Sequence, residues 1–376
     1  MKKRTIGAVA GIALLMVAVV PASFAATYDD NIVYRADGNW FLAENPGPYV
    51  PGTAPVTSTA SWGGSVGDAP MVGDVNGDGV DDVLVTRAAG GNYSWFAGHT
   101  DATGQIGSQA FPGPDSTAGG FGTMAGNAGN FLADVTGNGA ADAITINSGF
   151  NWYTLPSGAG GLGTGGAVSG PTQFGLAGDQ PIMGDFDGDG FTDIGVYRQG
   201  GGNIYWNGSA GGVMGAGGYN PATLGQIGGG ANFSLLIGDL DGDGFDDAVA
   251  IEQDGAGLIN YWGLINDGTG LMTYGVGPLM SQTSFGLDNG GDVPFLEDIN
   301  GDGMADIGIS RGNSHYVTYT TAGGVLGTNG AGDTNWDLGF ATDTQLFGNF
   351  TIPEPTSIAM LMLGGGVLWF RKRFMV

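Results

Sequence analysis

Four short segments of this sequence carry acidic residues at a spacing that suits a cation site. Each follows the pattern D-x-[DN]-x-D-G-x-x-D, with side-chain oxygens at positions 1, 3, 5 and 9 and glycine at position 6. Such oxygen donors, with the backbone carbonyl at position 7, suit Ca²⁺ better than Mg²⁺, which demands octahedral geometry and keeps its waters. Carboxylates this close together repel one another unless a cation neutralises them. The pattern therefore predicts four calcium sites.

Each predicted site uses the side chains of positions 1, 3, 5 and 9 and the backbone carbonyl of position 7. The ligands are Asp74, Asn76, Asp78, Val80 and Asp82; Asp185, Asp187, Asp189, Phe191 and Asp193; Asp239, Asp241, Asp243, Phe245 and Asp247; and Asp298, Asn300, Asp302, Met304 and Asp306. A fifth segment has Thr136 at position 3 and keeps only Asp134, Asn138 and Asp142. Because it has fewer carboxylates, we expect weak or absent calcium binding there.

EF-hand loops begin in the same way, so the residues after the loop decide between the two motifs. An EF-hand needs a bidentate Glu at position 12 and flanking helices. Position 12 here holds apolar residues within strand-like runs, namely Val85, Val196, Ala250 and Ile309. The loops are therefore not EF-hands, and each is predicted to join two β-strands.

The acidic loops belong to a longer repeat. Successive loops begin 51 to 60 residues apart, at Asp74, Asp134, Asp185, Asp239 and Asp298. In each copy an apolar run precedes the loop, an alternating run follows it, and an aromatic segment comes after a Gly/Asn turn. With one further strand each repeat supplies four strands, which is the size of a propeller blade. The chain is therefore predicted to be all-β.

Both ends of the repeat region carry half a unit. Asp30 precedes Arg35 by five residues, the offset found after the later loops, so the region begins with the second half of a unit. Residues 345–350 match the first half, with Asn349 in place of the first Asp. Five whole units and one split unit predict a six-bladed β-propeller, closed by N- and C-terminal half-blades so that no sheet edge is exposed. The split blade is predicted to hold no calcium.

The repeat region is strongly acidic and lacks cysteine. Six of the ten Lys and Arg residues lie in the first four and last six positions, which leaves four Arg and no Lys against 35 acidic residues. Nucleic-acid binding depends on Lys and Arg that neutralise phosphates, so this composition excludes it. Without Cys there are neither disulfides nor thiolate metal sites. Bound calcium is the expected stiffener in their place.

The repeat resembles the FG-GAP/VCBS repeats of integrin α-type propellers, which hold calcium in β-hairpin loops. The resemblance covers residues 26–350. It rests on the D-x-[DN]-G-D-G loop, a Gly-Asp-x-Pro step and three aromatic-Gly pairs, Phe121-Gly122, Phe174-Gly175 and Phe285-Gly286. It implies a propeller of FG-GAP/VCBS-type repeats with calcium in the loops.

Residues 1–25 have the three parts of a secretory signal peptide. The basic segment Met1–Arg4 is followed by the apolar run Ile6–Val20 and by small residues up to Ala25, where cleavage is expected. We therefore predict an N-terminal signal helix and export through the inner membrane. A retained membrane anchor is the alternative, but the apolar run is short.

Residues 351–376 form a second tripartite signal. Its parts are a Pro-Glu-Pro motif, an apolar run and a basic cluster, formed by Pro353, Glu354, Pro355, Ser357–Phe370, Arg371, Lys372 and Arg373. This order resembles the PEP-CTERM sorting signal of Gram-negative bacteria. It implies a C-terminal transmembrane helix held transiently in the inner membrane, an exosortase as processing partner, and a mature protein at the cell surface or secreted. A plain C-terminal anchor is the alternative.

Two residue types recur along the repeats and allow two interpretations each: an arginine, replaced by Asn147 and Glu252 in two of the predicted blades, and a tryptophan. The arginines could bind an anionic ligand, or each could pair with a neighbouring acid or aromatic ring. The tryptophans could stack on sugar rings, or they could pack between blades. The packing interpretation is favoured for both sets, which are Arg35, Arg87, Arg198 and Arg311, and Trp40, Trp95, Trp152, Trp206 and Trp262.

The sequence favours a non-catalytic function. Gly63–Gly67 matches G-x-S-x-G, but that motif needs a strand-to-helix turn, and His99 and His315 share no motif with an acid or nucleophile. PEP-CTERM proteins are associated with extracellular polymer, so the resemblance implies a surface or matrix platform for exopolysaccharide. The alternatives are a polysaccharide lyase on the same scaffold and an integrin-like adhesion module for a protein partner.

Overall fold

The protein consists of short antiparallel strands throughout the part of the chain that the structure describes. This computed structural model describes residues 29–44, 56–101, 104–107, 114–199, 201–210, 213–215, 223–226, 233–252, 257–266, 268, 280–287, 291–327 and 332–348. The signal and sorting segments, including Pro353 and Arg371, lie outside the described residues. Among those described, there is no helix long and apolar enough to span a membrane.

Twenty-four strands are found in the described residues, each beginning or ending near a Gly-, Asn- or Asp-rich turn. They are β1 (Asp30–Tyr34), β2 (Asn39–Ala43), β3 (Ser58–Ser61), β4 (Asp68–Gly73), β5 (Asp82–Ala89), β6 (Asn92–Gly98), β7 (Ser116–Ala118), β8 (Asn127–Ala133), β9 (Asp142–Asn147), β10 (Asn151–Leu155), β11 (Ser169–Gln173), β12 (Gln180–Gly184), β13 (Asp193–Arg198), β14 (Asn203–Asn207), β15 (Thr223–Gln226), β16 (Phe233–Gly238), β17 (Asp247–Glu252), β18 (Leu258–Leu264), β19 (Met280–Leu287), β20 (Val293–Glu297), β21 (Asp306–Arg311), β22 (Ser314–Thr318), β23 (Thr334–Asp337) and β24 (Thr344–Gly348).

These strands form six four-stranded sheets, which are the blades of a β-propeller. Blade 1 has the order β24-β1-β2-β3, and blades 2 to 6 are the consecutive meanders β4–β7, β8–β11, β12–β15, β16–β19 and β20–β23. The first strands of neighbouring blades lie against one another around the axis. Four of them, β4, β8, β20 and β24, line an axial cavity of about 730 Å³. The prediction of an all-β, six-bladed propeller is confirmed.

Blade 1 joins the two ends of the described chain. Strand β24 pairs with β1 along its whole length, with Ile32 opposite Leu346 and Tyr34 opposite Thr344. The pairing places strands from opposite ends of the sequence in one sheet, as the two half-units predict. Closure of this kind leaves the ring without a gap between blades.

The hydrophobic core lies between adjacent blades. The second strand of each blade is covered on both faces, and five consecutive residues of β9, β13, β17 and β21 are buried. The continuous apolar runs after the acidic loops reflect this two-sided burial. One core cluster joins Ile182 and Ile204 of blade 4 to Leu235 and Ala248 of blade 5. Packing between blades therefore holds the ring together.

Candidate metal centres

The five acidic loops join the first and second strands of blades 2 to 6, as predicted. We name each loop by its blade, so that Asp74 begins the blade 2 loop and Asp298 the blade 6 loop. The five loops lie at the same end of their sheets, because every blade begins with its innermost strand. A closed ring of blades therefore carries its acidic loops together on one face.

The first aspartate of each loop organises the loop backbone. In blade 4, Asp185 Oδ1 accepts the amide of Gly188 at 2.7 Å, and Oδ2 accepts that of Gly190 at 2.8 Å. The first aspartates of the other loops, Asp74, Asp134, Asp239 and Asp298, accept the same two amides. Position 6 has a φ of 81 to 89° in all five loops, which is why it is glycine.

The last aspartate of each loop is fully buried. These residues are Asp82, Asp142, Asp193, Asp247 and Asp306, and their side chains have no exposed surface. In blade 4, Asp193 Oδ1 accepts the amide of Ser209 at 2.6 Å and Oδ2 that of Phe186 at 3.1 Å. The position 9 carboxyl thus ties the loop to the segment after the third strand. The sequence pattern did not indicate this second attachment.

Two loops bring three carboxylates together. Oxygens of Asp185, Asp187 and Asp193 lie within 4.8 Å of one another, and so do those of Asp239, Asp241 and Asp247. A cluster of three carboxylate oxygens is a donor set that could hold a hard cation. The loops of blades 2 and 6 have an amide, Asn76 or Asn300, at the corresponding position 3. The donor chemistry therefore fits a divalent ion most directly in blades 4 and 5.

The carboxylates at position 5 lie beside these two groups. Burial, and with it charge repulsion from Asp189 and Asp243, raises the pKa of Asp187 and Asp241. Asp189 Oδ1 accepts the amide of Phe191 at 2.9 Å, and Asp243 Oδ1 that of Phe245 at 3.0 Å. The equivalent oxygens of Asp78 and Asp302 make the same bond within their loops. The structure thus places positions 1, 3 and 9 together in blades 4 and 5 and gives position 5 a role in the turn.

Burial has a large effect on the position 9 carboxyls. The pKa of Asp82, Asp193, Asp247 and Asp306 is raised to about 8. Burial is the largest cause, neighbouring carboxylates of the same loops add to it, and hydrogen bonds from backbone amides act in the opposite direction. A fully buried carboxyl with such a pKa holds either a proton or a cation at neutral pH.

The blade 3 loop differs in the way the sequence predicts. Burial raises the pKa of Asp142 only to about 6, with Asp134 as its one carboxylate neighbour among the causes. The Thr136 hydroxyl donates to Asp134 Oδ1 at 3.3 Å, and Asn138 Nδ2 donates to the Ser157 carbonyl at 2.9 Å. The neutral side chains of this loop thus form hydrogen bonds within the protein. Weak or absent calcium binding remains the prediction for it.

Each loop also contacts the loop of the preceding blade. The position 8 amide donates to the position 1 carbonyl of that loop, as in Thr192 to Asp134 at 2.8 Å and Asp246 to Asp185 at 2.8 Å. The same bond links Ala141 to Asp74, Ala305 to Asp239 and Asp29 to Asp298. The position 7 side chain meanwhile covers a glycine of the preceding loop, as Phe245 covers Gly188. These contacts connect the five loops into a continuous chain.

The recurring arginines form ion pairs at the opposite ends of the sheets. Arg198 Nε donates to Asp179 Oδ1 at 2.9 Å, and Nη2 donates to Oδ2 at 2.7 Å. The same two-bond fork joins Arg35 to Asp343, Arg87 to Asp68 and Arg311 to Asp292. The packing interpretation is therefore right. Sequence analysis missed the acid partners, although three of them stand 19 residues before their arginine, at the Gly-Asp-x-Pro step.

The recurring tryptophans are interior residues. Trp40, Trp95 and Trp152 have no exposed surface, and Trp206 is 6% exposed. The indoles of Trp95 and Trp152 donate to the carbonyls of Phe121 and Phe174, the aromatic residues of the aromatic-Gly pairs. These four side chains therefore pack the blades, whereas Trp262 is half-buried and stands at the repeat position of Tyr205.

The two histidines contact neighbouring side chains of the fold, and the G-x-S-x-G segment connects two strands. His315 is buried against Trp336 and Phe347, and burial lowers its pKa to about 4. His99 contacts the Ser116 hydroxyl at 3.1 Å. Gly63–Gly67 lies between β3 and β4, so it forms no strand-to-helix turn.

Comparison with known proteins shows the fold and no family. No protein-family model and no curated protein matches the sequence. Among solved structures, the chain is similar to a lectin from Agrocybe aegerita that recognises non-reducing terminal N-acetylglucosamine. The two chains share 16% identity with a TM-score of 0.50, over 87% of this chain and 96% of the lectin. At this identity the similarity shows the propeller fold alone.

Two further solved structures are similar at lower TM-scores. The N-terminal part of BBS1, in complex with ARL6, is 10% identical with a TM-score of 0.36, over 80% of this chain and 72% of that one. The V. cholerae biofilm matrix protein Bap1 is 12% identical with a TM-score of 0.27, over 87% of this chain and 62% of Bap1. The FG-GAP/VCBS and PEP-CTERM resemblances thus remain predictions from the sequence.

Proposed function

We propose that the protein is an exported, calcium-binding, non-catalytic propeller of the cell surface or extracellular matrix, which serves as a binding platform for exopolysaccharide. The observation that carries this proposal is the chain of five acidic loops along one face of a closed ring. A closed propeller is a rigid support, and its repeated loops and clefts can contact a repetitive polymer at several places at once. Multiple weak contacts of this kind raise the overall affinity.

Calcium would be held by the carboxylates that the loops bring together. In blades 4 and 5 the side chains of Asp185, Asp187, Asp189 and Asp193, or of their counterparts, are the proposed ligands, together with the position 7 carbonyl. The ion supplies positive charge that offsets the mutual repulsion of these carboxylates. Since the loops contact one another, the ion also stiffens a face that has neither disulfides nor helices among its described residues.

The choice of polysaccharide rests on the predicted sorting signal and is compatible with the fold. The C-terminal resemblance to PEP-CTERM signals points to an exosortase partner and to a place beside extracellular polymer. The lectin from Agrocybe aegerita combines a propeller fold with sugar recognition, so the fold itself poses no obstacle to glycan binding. The strongly negative repeat region argues against nucleic acid as the ligand.

Adsorption to the producing organism's own extracellular polymer tests the function. The purified protein, without residues 1–25, should sediment with the polymer in excess CaCl₂ and remain in the supernatant in excess EDTA. Loss of polymer viscosity, or new absorbance of unsaturated sugars, would instead reveal a lyase. No adsorption in calcium would refute the proposed function.

Mass spectrometry of the protein released from cells tests the processing. A mature chain that begins after Ala25 and ends near Pro353 supports both predicted signals. Recovery of Arg371 at the end of the surface-released chain would refute exosortase processing. Calcium binding and polymer adsorption do not depend on this result.

A further inference from the structure

Blade 3 departs from the other blades at both ends of its sheet. It carries the least acidic loop, and it has Asn127 and Asn147 where blades 1, 2, 4 and 6 have the Asp–Arg fork. Asn127 and Asn147 are paired across β8 and β9, just as Asp68 and Arg87 are paired across β4 and β5. Blade 3 therefore lacks both members of the ion pair, as does blade 5, where Phe233 and Glu252 are paired at this position.

The fork also covers an aromatic ring of the third strand. In the four blades that have it, the guanidinium lies 4.5 to 5.4 Å from the ring centroid of Phe41, Phe96, Tyr205 or Tyr316. Tyr153 holds this position in blade 3, and no cation or aromatic ring among the described residues stacks on it. In blade 5 the equivalent Trp262 is contacted by Phe233, with centroids 5.5 Å apart. Tyr153 is thus the ring of the set on which no guanidinium and no second ring stacks, and it is half-buried against the core cluster that includes Trp95 and Phe121.

The two asparagines are engaged elsewhere. Asn147 Oδ1 accepts the amides of Gly149 at 2.9 Å and Asn151 at 3.2 Å, which caps its own turn. Asn127 Nδ2 donates to Asn130 Oδ1 at 3.0 Å and to Thr145 Oγ1 at 3.1 Å. Neither side chain replaces the guanidinium on the ring.

A cleft of about 380 Å³ lies beside Tyr153. Its lining includes Phe121, Gly122, Thr123, Thr145 and Asn147, and none of the described residues that line it is charged. The equivalent cleft of the next blade is lined by Arg198 and holds about 330 Å³. An aromatic face flanked by hydroxyl and amide groups suits a ligand with one apolar face and neutral polar edges.

We propose that this cleft, which we call the Tyr153 cleft, binds a neutral pyranose residue. One face of the sugar ring packs on Tyr153, and its hydroxyls meet the Thr123 hydroxyl and the Asn147 amide nitrogen, since the Thr145 hydroxyl and Asn147 Oδ1 are hydrogen-bonded within the blade. The absence of a cationic side chain from the lining disfavours uronic acids and other anionic sugars. This inference rests on the proposed function and assigns one of the polymer contacts to blade 3.

Saturation-transfer NMR with the methyl glycosides of N-acetylglucosamine, glucose and galactose tests the cleft on the calcium-loaded protein. We expect saturable binding of at least one glycoside. Restoration of the fork by N127D/N147R should cover the ring and weaken that binding by about tenfold or more, while the melting temperature stays equal or rises. Undiminished binding to this variant would overturn the proposal, as would the absence of binding of any glycoside to the unmodified protein.

Tyrosine variants provide the matched control. Tyr153→Ala should lose the binding, whereas Tyr205→Ala, at the same repeat position under Arg198, should retain it. Polymer adsorption that persists in N127D/N147R at full strength would refute the Tyr153 cleft and leave the proposed function intact. Suppose instead that the unmodified protein adsorbs no polymer but binds a glycoside, and that N127D/N147R loses the glycoside. This result would refute the proposed function and support the Tyr153 cleft.

Discussion

Removal of divalent cations at a series of pH values tests the acidic loops through their buried carboxyls. Burial raises the pKa of Asp82, Asp193, Asp247 and Asp306 to about 8 in the folded protein, from an ordinary value of 3.8. Between these two values the cation-free folded state keeps protons that the unfolded chain has released. The contribution of these groups to stability is therefore fully present below about pH 4 and is lost as the pH rises to about 8.

The size of the effect follows from the number of such groups. One pKa unit corresponds to about 1.4 kcal/mol, so each group lowers the free energy of unfolding by about that amount per pH unit in this window. The four together give an upper limit of about 6 kcal/mol per pH unit. Relaxation of the protein around a buried charge lowers this figure. Since a whole domain is stable by only about 5 to 15 kcal/mol, the cation-free protein should become unstable near neutral pH.

Thermal unfolding measured by circular dichroism gives the direct readout. In excess EDTA the melting temperature should fall steeply from about pH 5 to about pH 8, because the buried carboxyls lose their protons over this range. In excess CaCl₂ the dependence should be much weaker, since the cation replaces the protons. Magnesium in place of calcium should restore less stability. A melting temperature in EDTA that is constant or rises with pH would contradict the reasoning, as would identical melts in EDTA and calcium.

Three further predictions concern single residues. Asp187→Ala should reduce the number of calcium ions bound by one, measured by isothermal titration calorimetry, whereas Thr136→Ala in the blade 3 loop should leave the number unchanged. Arg198→Lys should lower the free energy of unfolding by about 1 kcal/mol in urea denaturation, because a lysine cannot form the two-bond fork; an unchanged midpoint would contradict this. Gly175→Ala should lower the free energy of unfolding by about 1 to 3 kcal/mol more than Gly178→Ala. Both glycines have a positive φ, but only at Gly175 would a Cβ lie 2.5 Å from a neighbouring side chain. Equal losses of stability would contradict this.

Much of the candidate site could be predicted because its information is local. The nine-residue loops contain their own turn glycines and carboxylates, so their place between two strands follows from the sequence. The burial of Asp193 could not be predicted from the loop sequence. Its carboxyl accepts the amide of Ser209, which lies after the next strand, β14, and only the folded sheet shows that contact. The signals at residues 1–25 and 351–376 lie outside the described residues and remain predictions.

The recurring arginines show which properties the sequence alone could not determine. Their recurrence was visible, but two interpretations stayed open until the register of the sheet placed Arg198 beside Asp179. The loss of the same fork at Asn127 and Asn147 could be noted as a break in the repeat. Only the packed structure shows that the break leaves Tyr153 beside a cleft.

The sequence by itself determined the repeat, the number of blades, the manner of closure and the residue types of the acidic loops. These properties follow from short-range spacing, since a turn and the strands on either side of it are set by a dozen neighbouring residues. The tertiary structure decided which carboxyls are buried, which loops touch and which aromatic ring has no guanidinium stacked on it. Those properties depend on contacts between residues of different repeats, such as Thr192 and Asp134, whose distance is defined only when six blades pack around one axis.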